Sequence, residues 1–401
     1  MKKNTLISGL VATMVISFAV PAYVVADSVG VSSAIENQVD KGAMSLSLDQ
    51  AIDYALKHSK EIEISNIELQ KAEIAYDENT RAIKKIEKEL DETSQVVIPF
   101  YLTDENDINR ILLKNGAVNK SVELTYHTAK WNKETTINKI KYDVEKAYFD
   151  LLHAKEDLLI AEESLRLAEE LYEQGKLKYE LGNISKQELL GFELNLSQAQ
   201  SVYDSSKLKY DMQMMSFKDT LGIPFSENVV LTDSIEYKKH GEIDLDASIE
   251  KALNNNAGIK IAEENYEISK MIFDAIKVKY PEFSYKYKSY EVQAANAAKN
   301  LENAKKGVEM GVRSAYLNLI TAEKLINTYQ KTVEQAERAL DIAKISFELG
   351  MAIPSDITKA NIDLINAKKN LSQQIHAYNL ALLNYEYSTS VGMGNLYGST
   401  K

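Results

Sequence analysis

The side chains in this sequence that could do chemistry are its five histidines and its many carboxylates. His58, His127, His153, His240 and His376 stand at no spacing that would bring two of them to one metal ion. No glycine-rich phosphate loop and no nucleophile elbow is present. Most carboxylates fall three or four residues from a lysine, as in KKIEKELDE, which is the pattern of a solvated helix face. Two carboxylates differ. Glu188 in YELGNISKQELL (179–190) and Asp356 in FELGMAIPSDIT (347–358) each stand beyond a glycine, Gly182 and Gly350. They offer fixed negative charge at the start of a helix. No catalytic, metal or cofactor site is expected, and the chain reads as a non-enzyme.

These two stretches interrupt long helical patterns in the same way. Gly182 and Gly350 suit the left-handed C-terminal cap of an incoming helix. Ser185 with Glu188 forms a capping box for the outgoing helix. In the other stretch Pro354 suits a first helical turn, and Ser355 and Asp356 bring oxygen and charge to it. Each stretch is therefore a tight helix-turn-helix, and with heptads on both sides it predicts an antiparallel hairpin.

The flanking seams are long. Ala147, Leu151, Ala154, Leu158, Ala161, Leu165, Ala168 and Tyr172 follow a 4, 3 rhythm. Ala315, Leu319, Ala322, Ile326, Tyr329, Val333, Ala336, Leu340, Ala343 and Phe347 repeat it. Beyond the turns come Phe192, Leu196, Ala199, Tyr203, Ser206 and Tyr210, with Ala360, Leu364, Ala367, Leu371, Gln374 and Tyr378 as counterparts. An earlier helix gives Leu69, Ala72, Tyr76, Ile83, Ile86 and Leu90. Such a repeat predicts left-handed supercoiling, with alanine allowing close approach and leucine or tyrosine filling the next layer. A helix over Asn138–Leu181 would run roughly 65 Å at 1.5 Å per residue. Periodicity alone fits an ordinary antiparallel coiled coil as well as a wall of many such helices.

The chain is a tandem duplication. SLDQAIDYALKHSKEIEI from Ser47 matches DLDASIEKALNNNAGIKI from Asp244 at an offset of 197, and Ala147, Tyr148, Gly182 and Tyr210 match Ala315, Tyr316, Gly350 and Tyr378 at 168. The first copy therefore carries 29 extra residues in its middle. The expected parts are a first repeat over 47–222, a linker over 223–242, a second repeat over 243–392 and a tail over 393–401. Ser47 with Gln50, and Asp244, are expected to cap the two opening helices.

Only 5 prolines and 16 glycines punctuate 401 residues, which favours long helices. A net charge of −12 with no basic face excludes an ordinary nucleic-acid binder. Lys2 and Lys3 precede an apolar run from Leu6 to Val25, so 1–26 reads as a secretory signal peptide cut after Ala26, the alternative being an uncleaved anchor; 27–46 would be a linker. The absence of cysteine excludes disulfides, thiolate metal sites and a lipidated N-terminus.

The paired openings L-D-x-A/S-I-x-x-A-L, the Y/F-x-L-G…S…D/E turns and the LGIP at Leu221–Pro224 resemble the TolC-like outer-membrane efflux proteins over about residues 46–392. The resemblance implies a mainly α fold of long antiparallel coiled-coil helices, closed as a homotrimer into a hollow α-barrel, with a short β segment in the middle of each copy building a small or degenerate β-barrel. It implies a passive exit duct in the outer envelope, in a tripartite efflux or type I secretion system. Its partners would be a periplasmic adaptor protein, an inner-membrane ABC or proton-driven pump, and the membrane. The periplasmic tip, gate and adaptor contact would then comprise Tyr179, Gly182, Ser185, Glu188, Phe347, Gly350, Asp356 and Lys359. Three copies would ring the mouth with carboxylates, favouring cations, although Glu188 and Asp356 can equally serve as helix-start stabilisers. The sequence departs from the family at Ala352, where an arginine is frequent, and at Lys359, where an aspartate is.

For the β segments, SQVVIPFYL (94–102) and SVELTYHT (121–128) are the expected strands of the first copy, and FSYKYKSYEV (283–292) that of the second. The aromatics gathered there, among them Phe100, Trp131, Tyr280, Phe283, Tyr285 and Tyr287, would be interface girdles in a barrel, or else the capped end of a helical bundle. A barrel-free exported coiled-coil scaffold is the alternative function.

Overall fold

The computed structural model of the chain describes residues 44–92 and 104–392. The expected signal peptide, most of the 27–46 linker, the strand at 94–102 and the tail at 393–401 lie outside the described residues. In chain order the elements are β1 (Met44–Leu46), α1 (Leu48–His58), α2 (Lys60–Glu92), α3 (Asp104–Lys114), α4 (Ala117–Glu180), α5 (Lys186–Leu221), β2 (Val229–Leu231), α6 (Leu245–Asn255), α7 (Ala257–Lys279), α8 (Tyr285–Glu348) and α9 (Pro354–Ser388).

The duplication is visible in the element lengths. α1 and α6 are each 11 residues long, and α4 and α8 are each 64, about 96 Å at 1.5 Å per residue. The extra residues of the first copy fall where the offset changes. α2 has 33 residues against 23 in α7, and the segment 93–116 replaces the short turn 280–284. Local chemistry starts the helices as the caps predict. Ser47 and Gln50 form a reciprocal box, with Gln50 N–H donating to Ser47 Oγ at 3.4 Å and Ser47 N–H to Gln50 Oε1 at 3.0 Å. Asp244 Oδ1 accepts from Ala247 N–H at 3.0 Å.

The long helices lie side by side. α8 packs on α7 and α9; α7 and α9 also pack on α4; α4 in turn carries α2 and α5. The order across this wall is α8, then α7 and α9, then α4, then α2 and α5. Burial along each helix agrees with its place. α4 is buried on three stripes, with Ala154, Ala161 and Ala168 along the middle, Val144 and Tyr148 to one side toward its head, and Ile160, Ser164 and Leu171 to the other toward its tail. α8 is buried on one, through Val312, Leu319, Ala322, Ile326, Leu340 and Phe347. Ala154, Ala161 and Ala168 are wholly inaccessible, which is what close approach of two backbones at alanine layers requires.

Two expected strands are helix. SVELTYHT (121–128) lies inside α4. There Ser121 and Thr125 hydroxyls donate to the carbonyls one turn back, at 2.9 and 3.1 Å. Tyr126 packs on Tyr76 of α2, and His127 bonds Glu264 of α7 at 2.8 Å. Flanking helices on both sides override the alternation. FSYKYKSYEV (283–292) opens α8, because Ser284 caps it, accepting from Tyr287 N–H at 3.2 Å. With only 280–284 between α7 and α8, the expected β segment of the second copy is a helical turn instead. The strands that do form, β1 and β2, pair in parallel, Met44 to Val229 through Leu46 to Leu231, and join the two linkers beside the first repeat.

Candidate functional site at the paired hairpin turns

Both interruptions are hairpin turns. Gly182 has φ 74° and Gly350 φ 76°, a region that costs any residue with a Cβ. At the first, Gly182 N–H donates to Tyr179 O at 2.9 Å and Asn183 N–H to Lys178 O at 2.8 Å. At the second, Gly350 N–H donates to Phe347 O at 3.1 Å and Met351 N–H to Ser346 O at 2.8 Å. The paired bonds satisfy the last carbonyls of α4 and α8 in one Schellman geometry.

The outgoing helices are capped by the predicted carboxylates. Glu188 Oε2 accepts from Ser185 N–H at 2.7 Å and from Ser185 Oγ–H at 2.8 Å, and its own N–H donates to Ser185 Oγ at 3.2 Å. Those bonds, the backbone one above all, hold its carboxyl below the ordinary range. Asp356 Oδ2 accepts from Ile353 N–H at 3.1 Å. Both carboxyls stand at the positive end of a helix, and their bonds are local to their own turn. Tyr179 and Lys359 are exposed, as are Leu181, Leu349 and Met351 at the turn crests. Of the predicted residues only Phe347 is buried, and it is the one that reaches the other hairpin.

That contact holds the two turns together. Phe192 of α5, wholly buried, meets the Phe347 ring edge to face at 5.8 Å. Lys178 Nζ sits over the other hairpin's Phe347, 3.7 Å from the ring centroid. Ile357, Leu171, Leu340 and Leu364 complete the cluster. Phe192 fits because α4 presents Gly175 beneath it; a Cβ there would stand 2.5 Å from Phe192 Cδ2. Sequence reading missed this pair. The signal was a lone glycine inside a heptad helix.

Above the cluster the wall becomes polar. Ser164 of α4, Asn195 of α5 and Asn361 of α9 are all buried and line a groove of about 450 Å³, with Ile362, Ile365 and Lys369 at its rim. Asn195 Nδ2 has no hydrogen-bond partner. Farther up the α4–α9 seam, His153 and His376 stack with centroids 4.7 Å apart and planes within 8°. His376 Nε2 lies 3.0 Å from Asp150 Oδ1, which Lys146 also holds at 2.6 Å. His153 Nδ1 lies 3.0 Å from Ser372 Oγ, and Nε2 lies 3.7 Å from Asp157, itself held by Lys209 of α5 at 2.6 Å. Burial keeps His153 below the usual imidazole range. The parallel rings aim their lone pairs along separate planes, so the pair does not converge on one ion.

Known proteins share this fold. Residues 283–384 match the outer membrane efflux protein family. No curated protein matches the sequence. Among solved structures, the outer membrane protein VceC of Vibrio cholerae is 14% identical, with TM-score 0.65, over 86% of this chain and 96% of that one. The CmeC outer membrane channel of Campylobacter jejuni is 14% identical, with TM-score 0.61, over 86% of each. The open MtrE outer membrane channel of Neisseria gonorrhoeae is 13% identical, with TM-score 0.61, over 86% of this chain and 90% of that one. Part of the second repeat is thus similar to the outer membrane efflux protein family, and the chain has the fold of the TolC-like outer-membrane efflux channels.

Proposed function

We propose that the chain is a passive exit duct of the cell envelope, closed as a homotrimer and served by a periplasmic adaptor and an inner-membrane ABC or proton-driven pump. One observation carries the reading. Two helices at the outer edges of the wall, α8 and α5, leave apolar side chains uncovered along their length. On α8 these are Met310, Leu317, Leu325, Ile342 and Ile345; on α5 they are Leu190, Leu194, Leu208, Met212 and Met215. An open wall with two apolar edges is completed by copies of itself, and three such walls close into a ring around a lumen. The energy comes from the pump; the duct supplies a path and a gate.

On this reading the paired turns are the inner mouth. Tyr179, Gly182, Ser185 and Glu188 form one lip, and Phe347, Gly350, Asp356 and Lys359 the other. Glu188 and Asp356 ring the opening with negative charge, while Lys359 and Ala352 give it a closing chemistry different from the arginine and aspartate frequent at those places. The exposed Leu181, Leu349 and Met351 are the apolar surface for an adaptor hairpin. The test is mass and conductance of the purified protein. A particle of three protomers that conducts ions in planar bilayers supports the duct; a monomer, or a trimer that never conducts, refutes it.

A further inference from the structure

One polar layer of the wall is not explained by packing. Ser164 of α4, Asn195 of α5 and Asn361 of α9 are each more than nine-tenths buried, with Asn195 at 4% and Asn361 at 3% exposure. Buried amides and hydroxyls in folded proteins almost always have hydrogen-bond partners. Here Asn195 Nδ2 has none, and the Ser164 and Asn361 side chains form no hydrogen bond among the described residues. All three line the groove of about 450 Å³ between α5 and α9. Buried, unpartnered polar groups bordering open space point to a partner supplied from outside the chain.

The groove also has a charge and a length. The chain holds 59 acidic residues, yet among the described residues that line the groove none is acidic. Lys369 stands at its rim. The neighbouring Lys368 is paired with Glu163 at 2.8 Å, whereas Lys369 makes no ion pair among the described residues. Asn361, Ile365 and Lys369 follow one another at four-residue steps, so they run along one side of α9. Lys369 therefore lies about 12 Å along the helix from Asn361 at 1.5 Å per residue. Ala199 lines the groove one turn beyond Asn195, as Ile365 does one turn beyond Asn361. Since α5 and α9 both run away from the hairpin turns, these layers are level. The groove thus offers neutral donors at one end, an apolar stretch in the middle and a cation at the other end.

We propose that this groove is a binding site for an elongated organic carboxylate that carries a neutral acceptor, a hydroxyl or carbonyl oxygen, at its far end. The carboxylate pairs with Lys369 at the rim. The apolar body lies over Ile365 and Ala199. The far oxygen accepts from the Asn195 and Asn361 amides and so fills the unpaired layer. A site whose buried donors are otherwise unpaired discriminates strongly against a ligand that lacks the acceptor. Every residue of the site belongs to one protomer. Binding is therefore independent of assembly and of the duct reading, and the two fail separately.

The probe is para-hydroxyphenylpentanoate, which is water-soluble and carries its phenol and its carboxylate at opposite ends. Phenylpentanoate lacks the far oxygen, and the neutral amide of the probe lacks the charge. Equilibrium dialysis uses the purified full chain, with its detergent alone as blank. The expected result is saturable uptake of one probe per protomer, tighter than either analogue. Lys369→Gln, a change at the rim, should weaken the probe about tenfold and abolish its advantage over the neutral amide. Asn195→Leu replaces an unpaired buried amide by an apolar side chain of similar size, so it spares the fold. It should abolish the advantage over phenylpentanoate and leave the preference for charge. The absence of saturable uptake by the native chain overturns the proposal, and the polar layer then serves only to set which helices pair. Uptake that neither substitution changes, or that both change without the two separate losses of preference, overturns it as well.

Discussion

Gly175 and Phe192 can be tested as one unit. The equivalent positions in the second repeat are Ala343 and Ala360, so the two hairpins fill the same layer with different partitions of volume. In the native background Gly175→Ala puts a methyl 2.5 Å from a ring that is wholly buried. Overpacking of this kind costs ~1–3 kcal/mol, against a helix-propensity gain of ~1 kcal/mol. The net expectation is a loss of ~0–2 kcal/mol by that difference. Phe192→Ala removes the ring from Gly175 and Phe347 together and is expected to cost ~3–5 kcal/mol. In that second background the obstruction is gone, so Gly175→Ala should stabilise by ~1 kcal/mol from propensity, plus ~0.8 for the buried carbon. The substitution therefore changes sign with its neighbour. Urea unfolding of the four proteins, at one protomer concentration because assembly adds to stability, measures the cycle. If Gly175→Ala has the same effect in both backgrounds, the ring and the glycine are not in contact and the account of the hairpin cluster fails. Single-channel recording of Phe192→Ala adds a functional reading: loss of the ring that joins the lips should lengthen open times.

Other expectations concern the same region. Gly182→Ala and Gly350→Ala each force a Cβ into the left-handed region, at ~1–2 kcal/mol by chirality; hydrogen exchange should quicken at the nearest helix ends and stay unchanged near Tyr148. Glu188→Gln and Asp356→Asn keep a hydrogen-bond acceptor but remove charge, so cation preference measured by reversal potential should fall with little change in melting; unaltered selectivity would leave the carboxylates as caps alone. His153 is depressed in the folded chain, so the unfolded chain takes up the proton first as pH falls. Its contribution is then complete above about 6.5 and declines as pH drops below that value toward the folded pKa. Thermal melts should show that decline, and His153→Gln should flatten it in the same window.

What the sequence made legible was local or periodic. The glycine turns, the Ser185–Glu188 box and the Ser47–Gln50 box involve atoms three to five residues apart, so residue type alone determines them. The alanine layers were legible because burial repeats along a helix. The strands failed for the converse reason. Alternation at 121–128 and 283–292 is a weak local preference, and helices packed against α4, together with the Ser284 cap, decided against it. The Gly175–Phe192 lock, the buried Ser164–Asn195–Asn361 layer and the His153–His376 stack each join residues on different helices. Their partners are fixed only by which rods are neighbours, and no spacing within one rod encodes that.

The equal span of α4 and α8 has a consequence for how such a chain can change over time. Gene doubling started both rods at one length, and that parity keeps the two lips flush. A single heptad inserted in α4 alone would drop its lip about 10 Å below the other at 1.5 Å per residue, and Phe192 would miss Phe347 altogether. Reach can therefore be adjusted only in matched increments, shared by both repeats and by the shorter segments stacked beside them. A span measured in whole steps of that kind is inherited as one quantity.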